Sequence, residues 1–251
     1  MSSQLGYYEF MGFDSAELRR RYAGYADRYQ PGEHVLDIGC GRGEFLELLQ
    51  ARGAQGLGID ADDGMVGAVN ARGLRAVQGE AVQYLREHES SFDGVFAAHL
   101  IEHLPADAVR CLVQASARAL KPGGRLILVT PNPGNLQMQL KDFWIDMQHV
   151  RFYSPEIMRW VLHEAGLRDI EVGENPSYRT GPAIGNHPLP PLPLAPTGGG
   201  IKRQVKRAIN KLLKVNPLRR RLRDAEDRLN VLTGWMQSLY PPAEYFVIGV
   251  R

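Results

Sequence analysis

The stretch His34-Val35-Leu36-Asp37-Ile38-Gly39-Cys40-Gly41-Arg42-Gly43-Glu44 decides how the rest of the chain is read. Val35, Leu36 and Ile38 form a short apolar run of the kind that makes a buried strand. Gly39, Gly41 and Gly43 follow; glycine takes left-handed dihedrals without steric cost and lets a ligand approach the main chain. Phe45, Leu46, Leu48 and Leu49 then recur at helical spacing. The predicted unit is a strand, a glycine turn and a helix. It leaves N–H groups exposed at the strand's carboxyl end, where open α/β sheets bind ligands.

The spacing also restricts the ligand. A dinucleotide fingerprint would need glycine at position 44, which is Glu44. A carboxylate in the first helical turn suits the helix dipole but repels a pyrophosphate. No Gly-Lys-Ser/Thr follows, so a P-loop is excluded. A nucleoside with a zwitterionic, phosphate-free tail fits better. Gly56-Leu57-Gly58-Ile59-Asp60 reads as the second strand and ends in an acid suited to ribose hydroxyls.

These residues resemble the cofactor half of the class I S-adenosylmethionine-dependent methyltransferases, and three further segments match in order. Val77-Gln78-Gly79-Glu80-Ala81 resembles the third motif of that family. Phe92-Asp93-Gly94-Val95-Phe96-Ala97-Ala98-His99, followed by Ile101-Glu102-His103-Leu104, resembles the fourth strand and its exit. Leu120-Lys121-Pro122-Gly123-Gly124-Arg125-Leu126-Ile127-Leu128-Val129 resembles the turn and fifth strand. The resemblance covers about residues 20–170 and the last ten. It implies S-adenosyl-L-methionine as cofactor, bound by Asp37, Gly39, Gly41, Gly43, Asp60, Glu80, Ala81 and His99. Glu80 would face the adenine amino group, the Ala81 N–H a ring nitrogen, and the His99 backbone the methionine tail.

At 251 residues, 44% hydrophobic and 23% charged, the chain suits one α/β domain with elaborations. No apolar run approaches twenty residues, so no transmembrane helix is expected. Met1-Ser2-Ser3-Gln4 is not a basic region leading into an apolar core, so a cytoplasmic location is expected. The two cysteines, Cys40 and Cys111, are read as small packing residues rather than a disulfide. No Cys/His pattern suggests zinc, and no acidic cluster follows the fourth strand, so no metal is expected. The net charge of +2 conceals an asymmetry: ten Lys or Arg and no acid lie between Ile201 and Arg223, leaving 20 basic against 28 acidic side chains elsewhere.

Residues 14–30 read as a helix capped by Asp14 or Ser15 and carrying Arg19, Arg20, Arg21, Tyr22, Tyr25 and Tyr29. Solvated arginines with tyrosines packed on the sheet are one reading; the resemblance implies another, with an arginine or tyrosine reaching the methionine carboxylate. From 34 to 130 strands alternate with helices near 43–52, 62–72, 80–89 and 105–120, which argues a doubly wound parallel sheet. With the resemblance, the fold class is a seven-stranded, mostly parallel, Rossmann-like methyltransferase sheet. Glu102 and His103 are read as fixing the loop beside the cofactor rather than as an acid–base pair. The absence of Asn/Asp-Pro-Pro-Tyr there argues against methylation of nucleic-acid base amines or of glutamine.

Thr130-Pro131-Asn132-Pro133-Gly134-Asn135 is a turn-rich exit from the sheet, and 142–153 then gathers aromatics, acids and a histidine. An acceptor would sit there, beside the donor. His149 is the candidate general base, and Asp146 the residue that orients its imidazole or binds substrate hydroxyls. Ser154 and Pro155 start the next helix, and 167–172 form the sixth strand. His149-x-Arg151-x-Tyr153-x-Pro155-Glu156 resembles methyltransferases that modify sugars and cell-surface polysaccharides.

Residues 175–200 are rich in proline and glycine and read as a lid or linker. Residues 201–235 read as largely helical, broken near Asn216-Pro217, with apolar Ile201, Val205, Ile209, Leu212 and Leu213 on one face of a basic helix. This face would pack on the domain or another subunit, or dock on an anionic membrane surface; aromatic interleaving for nucleic acid is absent. Residues 244–250 supply the last strand. The expected organisation is a catalytic domain of residues 1–174 and 241–251 with an insertion at 175–240. The expected activity is O-methylation of a sugar hydroxyl of a glycan or glycoconjugate. The alternatives are a small lipid or secondary-metabolite acceptor, and a cofactor-binding assembly module without chemistry.

Overall fold

The computed structural model describes residues 14–179 and 215–251, with Gly12 and the isolated positions Gln204, Val205, Ala208 and Lys211; for residues 215–219 only the backbone is described. The linker prolines and most of the basic face expected between 201 and 214 lie outside the described residues.

The chain begins with α1 (Ser15–Ala26), capped by the Asp14 carboxylate, which accepts from the Ala16 N–H. It ends four residues before the expected boundary, ahead of Gln30-Pro31, because the residue before proline is disfavoured in helical dihedrals. There follow β1 (His34–Ile38), α2 (Glu44–Ala51), β2 (Gln55–Asp60), α3 (Asp63–Ala71), β3 (Ala76–Gln78), α4 (Ala81–Glu87) and β4 (Phe92–Ala98). Then come α5 (Ala106–Ala119), β5 (Leu120–Pro131), a short α6 (Leu136–Leu140), α7 (Pro155–Glu164) and β6 (Arg168–Glu174). Helix α8 (Val215–Ser238) precedes β7 (Glu244–Val250).

The seven strands form one sheet in the order β3-β2-β1-β4-β5-β7-β6. β7 runs antiparallel to both its neighbours, and the other pairings are parallel. The mostly parallel, Rossmann-like fold expected from the sequence is borne out. The strand order reverses between β1 and β4, and a crevice at the carboxyl ends of these strands is where such sheets take ligands.

Strand residues alternate between the two faces, so two apolar layers form. Leu36, Val95, Leu126 and Leu128 pack with Leu112 and Val113 of α5 and Met158 and Leu162 of α7. Val35, Phe96, Ile127 and Val129 pack on the other side with Tyr25, Tyr29, Phe45 and Leu46. Phe45 stacks on Phe96 with ring centroids 3.7 Å apart, which ties α2 to the middle of the sheet. Cys40 is buried as expected, whereas Cys111 is exposed, because the buried face of α5 runs through Val109, Leu112 and Val113.

The chain divides into two compact units, residues 1–180 with 241–251, and residues 181–240. Residues 175–179, expected in the linker, lie with the sheet. Asn175 donates to the Arg21 carbonyl at 2.9 Å, and the Ala243 N–H donates to the Tyr178 carbonyl at 2.8 Å. No helix among the described residues is long and apolar enough to cross a membrane.

Candidate active site

A cavity of about 790 Å³ opens over the carboxyl ends of β1, β2 and β4. The glycine turn, Asp60 and Glu80 line one side, and Met138, Ile145, Asp146, His149 and Tyr178 line the other.

On the first side, Gly39, Gly41 and Gly43 take φ of +67°, +51° and +83°, values a side chain would resist. Gly43 is the N-cap of α2, so the left-handed turn ends where the helix begins. The Gly41 N–H donates to Asp60 Oδ2 at 3.0 Å and the Asp62 N–H to Oδ1 at 3.0 Å, which fixes the β2 acid at the cavity wall. Asp37 is buried, and burial pushes its carboxyl well above the usual range, with Asp60 and Glu44 adding to the shift. Glu44 also lines the cavity, where it accepts from Ser15 Oγ at 2.8 Å and from Arg42 Nε at 2.9 Å. Three carboxyl groups converge here, so this end of the cavity suits a cationic ligand and disfavours a phosphate. Glu80 sits at the N-cap of α4 without a side-chain capping bond and lines the cavity with Ala81.

His99 lines the cavity and is held on several sides. Its N–H donates to the Val129 carbonyl at 2.9 Å, and its backbone is held at φ +52°. Its ring lies between two carboxylates, Nδ1 to Glu102 Oε1 at 3.1 Å and Nε2 to Glu244 Oε2 at 2.8 Å. Burial works against the charged ring, but the bonds to Glu102 and Glu244 outweigh it and hold the imidazole up at about 9. Glu244 is held down to about 2, the bond from His99 and the charge of Arg21 overcoming a large burial penalty. Arg21 pairs with Glu244 and lies 3.7 Å from the centre of the Tyr178 ring. Glu102 also accepts from Thr130 Oγ1 at 3.0 Å, and its carbonyl accepts from the Val150 N–H at 2.8 Å. The reading of Glu102 as a loop-fixing residue fits this geometry. Glu244, Asn175 and Thr130 had no functional reading in the sequence; the one available signal was an acid at the head of the otherwise apolar Tyr245-Phe246-Val247-Ile248.

His149 lines the side of the cavity away from the glycine turn. Its Nδ1 lies 2.6 Å from the Phe143 carbonyl, which commits that nitrogen as the N–H donor and leaves Nε2 with the lone pair. Burial lowers its pKa from the ordinary value, against the Phe143 carbonyl and Glu102, so the ring is neutral near pH 7. The ring packs on Phe143 with centroids 4.3 Å apart, and Phe143 stacks on Phe152 at 3.7 Å. The Phe143 carbonyl, rather than Asp146, thus supplies the hydrogen bond that orients the imidazole. Asp146 Oδ2 stands 3.8 Å from Nε2, placed to stabilise an imidazolium once a proton arrives.

One grouping escaped the sequence reading. Glu102, His103 and His149 each bring one ligand atom to within 4.8 Å of the others. His103 Nδ1 is buried without a hydrogen-bond partner. An acid and two imidazoles form a donor set that suits a divalent cation.

Residues 10–172 match the family described as "Methyltransferase domain". This chain belongs to that family. The Ubiquinone biosynthesis O-methyltransferase of Idiomarina loihiensis is 31% identical over 158 residues, 56% of this chain and 64% of that protein. The protein of the same name from Hahella chejuensis is 37% identical over 110 residues, 41% of this chain and 44% of that one. The chain thus spans less than two thirds of these relatives' lengths. A crystal structure of a SAM dependent methyltransferase from Archaeoglobus fulgidus superposes with a TM-score of 0.72 at 24% identity, covering 99% of both chains. The resemblance to class I S-adenosylmethionine-dependent methyltransferases is borne out in family and fold. The narrower likeness to sugar-modifying members finds no counterpart in the names of these relatives.

Proposed function

We propose that this methyltransferase-domain protein moves a methyl group from S-adenosylmethionine to a hydroxyl oxygen, with His149 as general base. The observation that carries this reading is the commitment of His149 Nδ1 to the Phe143 carbonyl, which leaves a neutral imidazole with its basic nitrogen at the acceptor side. When bound, S-adenosylmethionine supplies an already activated methyl group. The protein's tasks are then alignment, exclusion of water, and removal of the hydroxyl proton. Asp37, Asp60 and Glu80, with the glycine turn and the Ala81 N–H, are the groups proposed to hold the donor. Asp37 and Asp60 receive its ammonium and ribose ends, and Glu80 its adenine amino group. His149 Nε2 takes the hydroxyl proton as the new C–O bond forms, and the Asp146 carboxylate stabilises the resulting imidazolium.

For the acceptor, Asp142, Asp146 and Gln148 line the cavity around His149 and suit a polyhydroxylated partner. A sugar hydroxyl of a glycan or glycoconjugate is therefore the proposed target. A second reading, a hydroxyl on a small apolar or lipid-like acceptor, is favoured by the exposure of Leu140, Trp144 and Met147 beside the same site and by the names of the relatives. Labelled methyl transfer should be followed across a panel of sugars, glycolipids and hydroxylated aromatics. Ether formation on sugars supports the first acceptor class, and on aromatics alone the second. Cofactor binding with no transfer to any acceptor would leave the assembly-module reading.

The Glu102, His103 and His149 grouping distinguishes base catalysis from cation-assisted deprotonation. Methyl transfer should survive exhaustive chelation if the imidazole acts alone. Loss on chelation, restored by one divalent ion, would place an ion on these three residues instead.

A further inference from the structure

Helix α8 and the turn that follows it carry an apolar seam that has no partner among the described residues. Counting from Val215, the apolar residues Val215, Leu218, Leu222, Ala225, Leu229, Leu232, Met236 and Leu239 fall alternately three and four residues apart. That is the a/d spacing of a left-handed coiled coil, kept through three full heptads. Leu222, Leu229, Leu232, Met236 and Leu239 are 43–54% exposed. Polar residues occupy most of the outer face, among them Arg223, Asp224, Asp227, Asn230 and Gln237. Gly234, also on that face, costs the isolated helix about 1 kcal/mol. Helices in proteins owe most of their stability to a packed apolar face, and this one has none among the described residues.

The charges beside the seam select the occupant. In a parallel, in-register pair, Arg221 at position g meets Glu226 of the partner subunit at position e, and the reverse contact forms by symmetry. In the antiparallel register that pairs Leu222 with Leu232, Arg228 would meet Arg228 and Glu226 would meet Glu226. Complementarity thus favours the parallel arrangement of two identical helices. The pair one heptad earlier in the sequence, Lys214 with Arg219, is like-charged, and Lys214 lies outside the described residues. Charge at Arg221, Glu226 and Arg228 flanks the two-residue stripe through its first half, and exposed Val231 and Trp235 widen it in the second; the charged flanks suit two strands. We propose that residues 215–239 form a parallel two-stranded coiled coil with a second copy of this chain.

The test is the solution mass of the full chain, with variants confined to exposed α8 positions so that the catalytic unit is untouched. Sedimentation at tens of micromolar should give twice the chain mass of 28.0 kDa. L229E with L232E should give the single-chain mass while leaving the circular dichroism of the sheet domain intact. R221E and E226R should each weaken the pair about tenfold, and R221E/E226R together should restore it. A monomeric wild type, a trimer or tetramer, or a dimer indifferent to L229E/L232E would overturn the proposal. So would failure of the charge swap to restore what each single change weakened. A wild-type monomer that instead sediments with anionic phospholipid vesicles would assign this face to lipid.

Discussion

A histidine becomes a base of defined polarity only when one ring nitrogen is committed elsewhere, and at His149 the Phe143 carbonyl takes that role. With burial lowering its pKa, the ring sheds its proton below the ordinary 6.5. The rate of methyl transfer should therefore rise on an acidic limb centred below that value and stay flat through neutrality; a limb centred above it would contradict the assignment. His99 behaves in the opposite way. Its native value near 9 lies above the ordinary 6.5, so its contribution to stability is complete below 6.5 and is lost as pH rises through 9. Glu244, held at about 2 against an ordinary 4.5, contributes above 4.5 and loses that contribution as pH falls through 2. The unfolding free energy should accordingly fall between about pH 6 and about pH 9.5, by on the order of 2 kcal/mol, and H99Q should flatten that fall. Glu244→Gln removes one partner of a fully buried pair and should cost ~3–5 kcal/mol, measured by urea denaturation. A change under 1 kcal/mol would show that the network is not what holds β7 to α1.

At the scale of elements, the glycine turn depends on a β2 residue, Gly58, that is not part of the cavity wall. A Cβ on Gly58 would lie 2.5 Å from Cys40 Sγ, so β2 can pass under the turn only with glycine there. Gly58→Ala should cost ~1–3 kcal/mol and weaken cofactor affinity, and adding Cys40→Ala should recover part of both. Fully additive losses in a thermal melt and a binding titration would contradict this coupling. The helices and strands themselves were legible because periodicity is local: Val35, Leu36 and Ile38 announce β1, and the Asp14 and Ser154 caps mark helix starts that the structure keeps. The charge network was not legible. Arg21 and Glu244 are 223 residues apart, and His99 and Glu244 are 145 apart, so only the antiparallel return of β7 beside β5 brings them together. Nor could sequence assign the orienter of His149, because that group is a main-chain carbonyl without a side-chain signature.

At the scale of the molecule, the proposed donor half and the proposed acceptor half rest on different kinds of support. Asp37, Asp60, Glu80 and the turn glycines Gly39 and Gly41 converge on one end of a cavity, in a chain that belongs to the methyltransferase-domain family. The proposed acceptor half comprises Pro131, Met138, Asp142, Ile145, Asp146, Gln148, His149 and Tyr178, which line the cavity after the fifth strand. Specificity is expected to move with that segment: Asp142→Ala and Trp144→Ala should change the preferred acceptor while leaving donor affinity within about twofold. Equal loss for every acceptor, or loss of donor binding, would contradict the division.

The most direct test of the central claim is a paired measurement on wild-type protein and H149A: S-adenosylhomocysteine formation with the preferred acceptor, and S-adenosylmethionine affinity by calorimetry. General-base catalysis typically supplies about 10²–10⁴-fold in rate, so H149A should lose turnover on that scale while binding the donor as tightly as wild type. Turnover within about threefold of wild type at neutral pH, with donor affinity unchanged, would contradict the assignment of His149 as the base.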